Sequence, residues 1–244
     1  MEVHAILGKS PALLGKMIFS VPLKKIILYV DNKNVAKRQV KRFRNLYVNF
    51  NPESEFPVTQ FIEIPSLDDR SSLSDVALKM SQILQENENK NGDSVLFYSG
   101  TLPHLMVLFS SLNIGNIMSF SNGEFTIDGS SPASYQSVEF EVDDFFSIHG
   151  IKFSVSDGKI NLRYKDIDLE VPKTLEEISL DNQGILSFKW KSFSDSSRNR
   201  KEFTSFVLNL RTIIGAHSSR NIVENSVLQN WLKHIEFPFM EEEE

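Results

Sequence analysis

Four short apolar runs, each closed by a sharp polar turn, constrain the fold of this chain more than any other feature. They are Val3 to Leu7, Lys25 to Val30, Thr59 to Ile64 and Ser94 to Tyr98. Lys25-Ile26-Ile27-Leu28-Tyr29-Val30 is continuous rather than alternating, the pattern of a strand buried on both faces of a parallel sheet. It stops at Asp31-Asn32, a pair suited to capping a helix or making a turn. The next segment, about 34–47, sets Ala36, Val40, Phe43 and Tyr47 on one face and its basic residues on the other. Helical spacing also follows the first run at Leu13, Leu14, Met17 and Ile18, and the third at Val76, Met80, Ile83 and Leu84. After the fourth run a further helix is expected, with Leu105, Met106, Leu108, Phe109 and Leu112. Strand and helix in alternation predict an α/β, Rossmann-like doubly wound sheet over residues 1–150.

The texture then changes. Short strands are expected at Ile117 to Phe120, Glu124 to Ile127 and Ser137 to Val142, and a short helix from Asp143 to His149 stopped by Gly150. Residues 151–240 read as a smaller region of β-hairpins and two helices. Its strands are Phe153 to Val155, Ile160 to Tyr164, Ile167 to Val171 and Ile185 to Trp190, with Asp157-Gly158 as the first turn. The helices are Lys201 to Ile214, after a polar linker from Ser192 to Arg200, and Ile222 to Ile235. Their apolar stripes are most simply core, and would equally suit a partner surface. Glu241 to Glu244 form an acidic tail.

Of the 244 residues, 41% are hydrophobic and 24% charged, which excludes a disordered or rod-like chain. No apolar run reaches the roughly 18 residues of a membrane span, and the N-terminus lacks the pattern of a signal peptide. Cysteine is absent, so disulfides and thiolate chemistry are excluded and a cytoplasmic location is the expectation. Net charge is −6, unfavourable for non-specific binding of nucleic acid by the chain as a whole. One local exception is Lys33 to Arg44, with six basic residues and no acid. That face is read as solvated, or as a surface for a protein or nucleic-acid partner.

In an open α/β sheet, ligands bind outside the carboxyl ends of the strands. Two loops expected there are short, contain glycine and carry hydroxyls: Gly8-Lys9-Ser10-Pro11 and Ser99-Gly100-Thr101-Leu102-Pro103-His104. Each leads into a helix, whose first N–H groups attract phosphate or carboxylate. Tight strand-to-helix turns would need the same glycines, so residue types leave both readings open. Neither loop is a nucleotide fingerprint. The P-loop's first glycine would fall at Val3, and the three spaced glycines of dinucleotide sites are missing. No cofactor and no bound metal is expected: the histidines at 4, 104, 149, 217 and 234 lack ligand spacing.

As an ordered set, several segments resemble the CARF domains, the sensory domains of type III CRISPR ancillary proteins. Gly8-Lys9-Ser10-Pro11, a helix, and then Lys25 to Asp31 are similar to the family's opening. Phe97-Tyr98-Ser99-Gly100-Thr101-Leu102-Pro103-His104-Leu105-Met106 resembles its strand-end signature, Tyr-Thr-Gly-Gly-Thr-Lys with a nearby methionine. One of the two glycines is kept, at Gly100, and the lysine is not. Phe140 to Gly150 resembles the segment that closes the sensory domain in the branch often fused to a C-terminal nuclease.

The resemblance covers about residues 1–150. It implies antiviral signalling in which a cyclic oligoadenylate binds across a homodimer's two-fold axis. Its ligand-binding residues would be Gly8, Lys9, Ser10, Pro11, Asp31, Asn32, Ser99, Gly100, Thr101 and His104. It also raises two enzymatic readings, a ligand-triggered nuclease and a ring nuclease that cleaves the ligand. An adaptor engaging protein or DNA without any nucleotide is the third alternative. No catalytic constellation supports an enzyme. Asp166, Asp168, Glu170 and Lys173 only faintly echo a metal-nuclease strand, with Pro172 interrupting, and a solvated hairpin edge accounts for them.

Overall fold

In the computed structural model the first four runs pair as parallel strands, the arrangement that the continuous apolar character of Lys25 to Val30 points to. The structure describes residues 1–7, 11–64, 94–97, 114–129, 132–180, 186–190 and 197–214, with Leu78, Ser81, Gln82 and Leu112. Two compact units divide the chain, Met1–Glu139 and Phe140–Glu244.

The first unit runs β1 (Glu2–Ile6), α1 (Ala12–Ser20), β2 (Lys25–Val30), α2 (Lys33–Phe50), β3 (Val58–Glu63), β4 (Ser94–Phe97), β5 (Asn116–Ser121), β6 (Glu124–Asp128) and β7 (Ala133–Gln136). These strands make one seven-stranded sheet in the order β3-β2-β1-β4-β5-β6-β7. β1 to β5 are mutually parallel, and β6 and β7 are antiparallel additions. The chain winds outward from β1 to β3, then returns to lay β4 on the other side of β1. That reversal is the doubly wound, Rossmann-like order.

Burial explains the sheet's interior. All of Ile26 to Val30 is at most 2% exposed, so both faces of β2 are covered. α2 turns Ala36, Val40, Phe43 and Tyr47 inward, the face its periodicity predicts. Phe19 of α1 meets Phe43, Tyr47 and Phe50 with ring centroids 5.2–6.3 Å apart, joining the two helices through aromatic contacts. β5 and β6 are joined by Asn122-Gly123, with φ of 52° and 81°, the positive pair that a two-residue hairpin requires.

One expected strand moves. Ser137 to Val142 reads as alternating, but the ladder partner of β6 is Ala133–Gln136. There Tyr135 lies opposite the fully buried Phe125. Residues 137–141 are held by other bonds: Ser137 N–H to the Gly123 carbonyl, and Val138 N–H to Ser20 Oγ. Val142 is already helical, because Glu141 and Asp144 close a capping box that starts the helix there.

The second unit holds that helix, α3 (Val142–His149), which ends at Gly150 as expected. β8 (Ile151–Ser156), β9 (Lys159–Tyr164) and β10 (Ile167–Leu169) follow as an antiparallel meander. β11 (Leu175–Leu180) and β12 (Leu186–Trp190) form a hairpin, and α4 (Ser197–Ile214) starts earlier than the polar linker implied. Phe203, Phe206, Val207, Leu210 and Ile214 of α4 are buried, and Phe206 meets Phe188 edge-on. The helices expected at 72–86 and after Gly100 lie largely outside the described residues, and the one from Ile222 to Ile235 wholly so. No helix among the described residues is long and apolar enough to cross a membrane.

Candidate functional site at the carboxyl edge of the sheet

β1, β2 and β4 are neighbours and point the same way, so their carboxyl ends share one edge of the sheet. Register places Ile6 beside Tyr29, and the Leu7 N–H bonds to the Tyr29 carbonyl at 3.0 Å. On the other side of β1, His4 pairs with Leu96, one residue before β4 ends at Phe97. The strand order reverses between β1 and β4. A crevice at such a reversal is where open α/β sheets take ligands.

Two helices begin at this edge, and their first turns differ. α2 is capped from within: Asn32 Oδ1 accepts the N–H groups of Asn34 and Val35 at 3.0 and 3.1 Å. Its Nδ2 amide donors are not used in that cap. α1 follows Pro11, which is buried and offers no side-chain acceptor, and no acid stands in the helix's first turn. The Pro11 carbonyl takes the Gly15 N–H at 2.9 Å and so starts the helix. Among the described residues no side chain caps the first-turn donors of α1, and a helix start of this kind favours an anion.

Asp31 and Asn32 are exposed at the carboxyl end of β2. Lys33 pairs with Glu63 of β3 at 3.8 Å, with both side chains about half exposed, which leaves the Asp31 carboxylate as the net charge of this corner. Gly8, Lys9, Ser10, Ser99, Gly100, Thr101 and His104 lie outside the described residues. Of the ten expected ligand contacts, the structure thus locates Pro11, Asp31 and Asn32.

A largely buried polar string, which the sequence analysis does not single out, begins at the opposite, amino end of the same strands, where Glu2, Lys25 and Ser94 open β1, β2 and β4. Glu2, His4 and Ile6 share one face of β1, since side chains alternate along a strand. Glu2 Oε2 meets Lys25 Nζ at 3.0 Å, and Glu2 Oε1 accepts from Ser94 Oγ at 3.3 Å and from His4 Nε2 at 3.4 Å. His4 Nδ1 lies 2.9 Å from the Tyr29 hydroxyl. Burial holds the His4 pKa below its ordinary value, although Glu2 pulls it upward. A neutral ring then donates from Nε2 to Glu2 and accepts the Tyr29 hydroxyl proton at Nδ1. Burial, with the Glu2 charge, pushes the Tyr29 hydroxyl up, so it remains a donor. Burial acts to raise the Glu2 carboxyl, but Lys25, His4 and Ser94 together outweigh it and hold the pKa low. A single apolar-looking strand hides this string, because its partners lie 25 and 92 residues away.

In the second unit, Asp168 stands on the edge strand β10 and reaches Arg163 at 3.5 Å, with both side chains exposed. Glu170 and Lys173 are also exposed. Among the described residues no group of His, Asp and Glu is arranged to hold a metal ion.

No protein-family model matches the chain, and no curated protein matches it. Solved structures do. The chain is similar to Can2 from Sulfobacillus thermosulfidooxidans in complex with cyclic tetra-adenylate, at TM-score 0.60 and 9% identity, over 94% of this chain and 90% of that one. It is also similar to a type III CRISPR defence DNA nuclease activated by cyclic oligoadenylate, at TM-score 0.50 and 13% identity, over 90% of this chain. A weaker likeness, TM-score 0.46 at 14% identity over 64% of this chain, is to protein VC1899 from Vibrio cholerae. The chain spans 41% of the Vibrio cholerae protein and 36% of the defence nuclease. At these identities the likeness is one of fold.

Proposed function

We propose that this chain is a sensor that binds a cyclic oligoadenylate at the carboxyl edge of its seven-stranded sheet, in type III CRISPR antiviral signalling. One observation carries the reading: the strand order reverses between β1 and β4, and the two loops rich in phosphate-suited residues directly follow those strands. The fold shared with Can2, whose structure holds cyclic tetra-adenylate, supports it over nearly the whole chain. The CARF-like order of sequence segments supports it independently.

In this reading residues 1–150 form the sensory region, 151–240 a second region and 241–244 an acidic tail. Backbone N–H groups at Gly8, Gly100 and the start of α1 after Pro11 hold phosphates, with Ser10, Ser99 and Thr101 adding hydroxyl donors. Lys9 supplies charge and His104 a side-chain donor. Asn32 contributes Nδ2, its Oδ1 being engaged in the α2 cap, and the Asp31 carboxylate accepts from a ribose hydroxyl or an adenine amino group. A ring of repeating nucleotides suits a two-fold axis, on which a homodimer presents each loop twice.

Calorimetry against cyclic tetra- and hexa-adenylate tests the proposal, followed by chromatography of the ligand after incubation. Saturable binding of one ring, recovered intact, is the expected result. Linear products would replace the sensor by a ring nuclease. Binding that switches on cleavage of an added nucleic acid would make it a ligand-triggered nuclease. No binding of either ring would leave the adaptor reading.

A further inference from the structure

α2 is an 18-residue helix with six cations and no acid, in a chain whose net charge is −6. The fold turns those cations to solvent. Lys33, Lys37, Arg38, Lys41 and Arg44 are exposed and Arg42 is half-buried, while the opposite face fills the core. Some have local partners: Lys33 pairs with Glu63, Arg42 donates to Gln39 at 3.1 Å, and Arg44 lies over the Phe56 ring at 5.4 Å. Among the described residues Lys37, Arg38 and Lys41 make no salt bridge. Like charges four residues apart on a helix are destabilising, by about 0.2–0.5 kcal/mol per pair. Lys33–Lys37, Lys37–Lys41 and Arg38–Arg42 are three such pairs without an intervening acid.

We infer that this face of α2 is a docking surface for the phosphate backbone of a nucleic-acid duplex, independent of the cyclic-nucleotide site. Lys33, Lys37 and Lys41 form one stripe and Arg38, Arg42 and Asn45 a second, with successive cations about 6 Å apart along the axis. Lys, Arg and Asn are the side chains that contact phosphate and sugar. The exposed face has no aromatic, Leu or Met. Its exposed hydrophobic residues are Val35 and Val48, so it lacks the aromatic and methionine anchors that protein interfaces favour, and its arginines suit phosphate equally well. The same lack of aromatics argues against single strands, which need stacking platforms.

The test is fluorescence anisotropy of the full chain with labelled mixed-sequence DNA and RNA duplexes of about two helical turns, a single strand of the same length, and poly-glutamate. Duplex binding should be sequence-independent and weaken with salt. Three unpaired cations give a slope near −2.7 in log K against log salt, roughly forty-fold between 50 and 200 mM. The two duplex arms establish whether DNA, RNA or both supply the phosphates. Lys37→Glu, Arg38→Glu and Lys41→Glu together should lower duplex affinity at least tenfold, with cyclic-oligoadenylate affinity unchanged and the melting temperature no lower than the parent's. Should charge reversal unfold the helix, the corresponding Gln variants should flatten the salt slope instead. Absence of duplex binding at 50 mM salt, variants that bind as the parent does, or a preference for poly-glutamate or the single strand would each overturn the proposal.

Discussion

His4 is the residue whose environment departs furthest from its sequence context. It is 5% exposed and bonded on both ring nitrogens, to Tyr29 and to Glu2. Because its folded pKa lies below the ordinary 6.5, the unfolded chain takes up the proton more readily. Stability from neutral His4 is complete above that value and is lost as pH falls below it. Glu2 acts in the same direction lower down: its depressed pKa gives stability above the ordinary 4.5 that fades as the carboxyl is protonated. Thermal melts should therefore show a melting temperature that holds from pH 8 to about 6.5 and falls as the pH drops further, and His4→Gln should flatten that fall. An equally steep slope in the variant would place the titration elsewhere.

Gly129 is constrained by space. A Cβ there would collide with Asn116 Oδ1 and lie 2.7 Å from the Gly115 carbonyl, at a φ of +139°. Gly129→Ala should cost on the order of 1–3 kcal/mol in urea unfolding, as overpacking does. Lys9→Ala tests the proposed ligand loop. Charge-assisted hydrogen bonds contribute about 1.5–3 kcal/mol, so calorimetry should show affinity reduced roughly ten- to a hundred-fold, and more if two copies of the loop share one ligand. Unchanged affinity and melting temperature would make Lys9 a solvated loop charge.

At the scale of elements, α2 shows how one side chain can serve fold and site through different atoms. Asn32→Ala removes the cap and should destabilise by about 0.5–2 kcal/mol. Asn32→Asp keeps an oxygen acceptor but exchanges the amide donor for negative charge. It should melt like the parent while binding the cyclic nucleotide less tightly, a split that melting curves and calorimetry read separately. Equal losses from both variants would reduce Asn32 to a structural cap. β2, the strand before this helix, was legible in the sequence because burial on both faces leaves an unbroken apolar run, Ile26 to Val30. β11 was not. A register shift between Leu175 and Glu177 breaks its alternation, so Leu175 and Ile178 face inward at a spacing no regular strand has. Ser137 to Val142 failed in the opposite way, since Val138 and Phe140 alternate like a strand while the backbone N–H groups of Val138 and Ser137 go to a serine side chain and to a turn. The edge that holds Asp31, Asn32 and Pro11 was legible through turn chemistry. The His4 string, which starts at the amino ends of the same strands, depends on long-range pairing that no local pattern encodes.

For the whole molecule, the order β3-β2-β1-β4-β5 fixes where a ligand should sit before any loop is considered. At the β1–β4 reversal the strand order runs from β1 towards β2 and β3 in one direction and from β4 towards β5 in the other. The net charge of −6 makes such a site necessarily local: a polyanionic ring must find a donor-rich pocket, not a positive surface. The basic face of α2 belongs to a different process, and the two are separable by variant. The central claim is a location, so the most direct test maps contact. Cyclic tetra-adenylate bearing a photoreactive azido-adenine should be crosslinked to the full chain, digested and the modified peptides sequenced. We predict labelling in the segments around residues 8–11, 31–32 and 99–104, suppressed by excess unlabelled ring. Saturable labelling confined to α2 or to residues 151–240 would contradict the account, as would labelling that excess ligand does not displace.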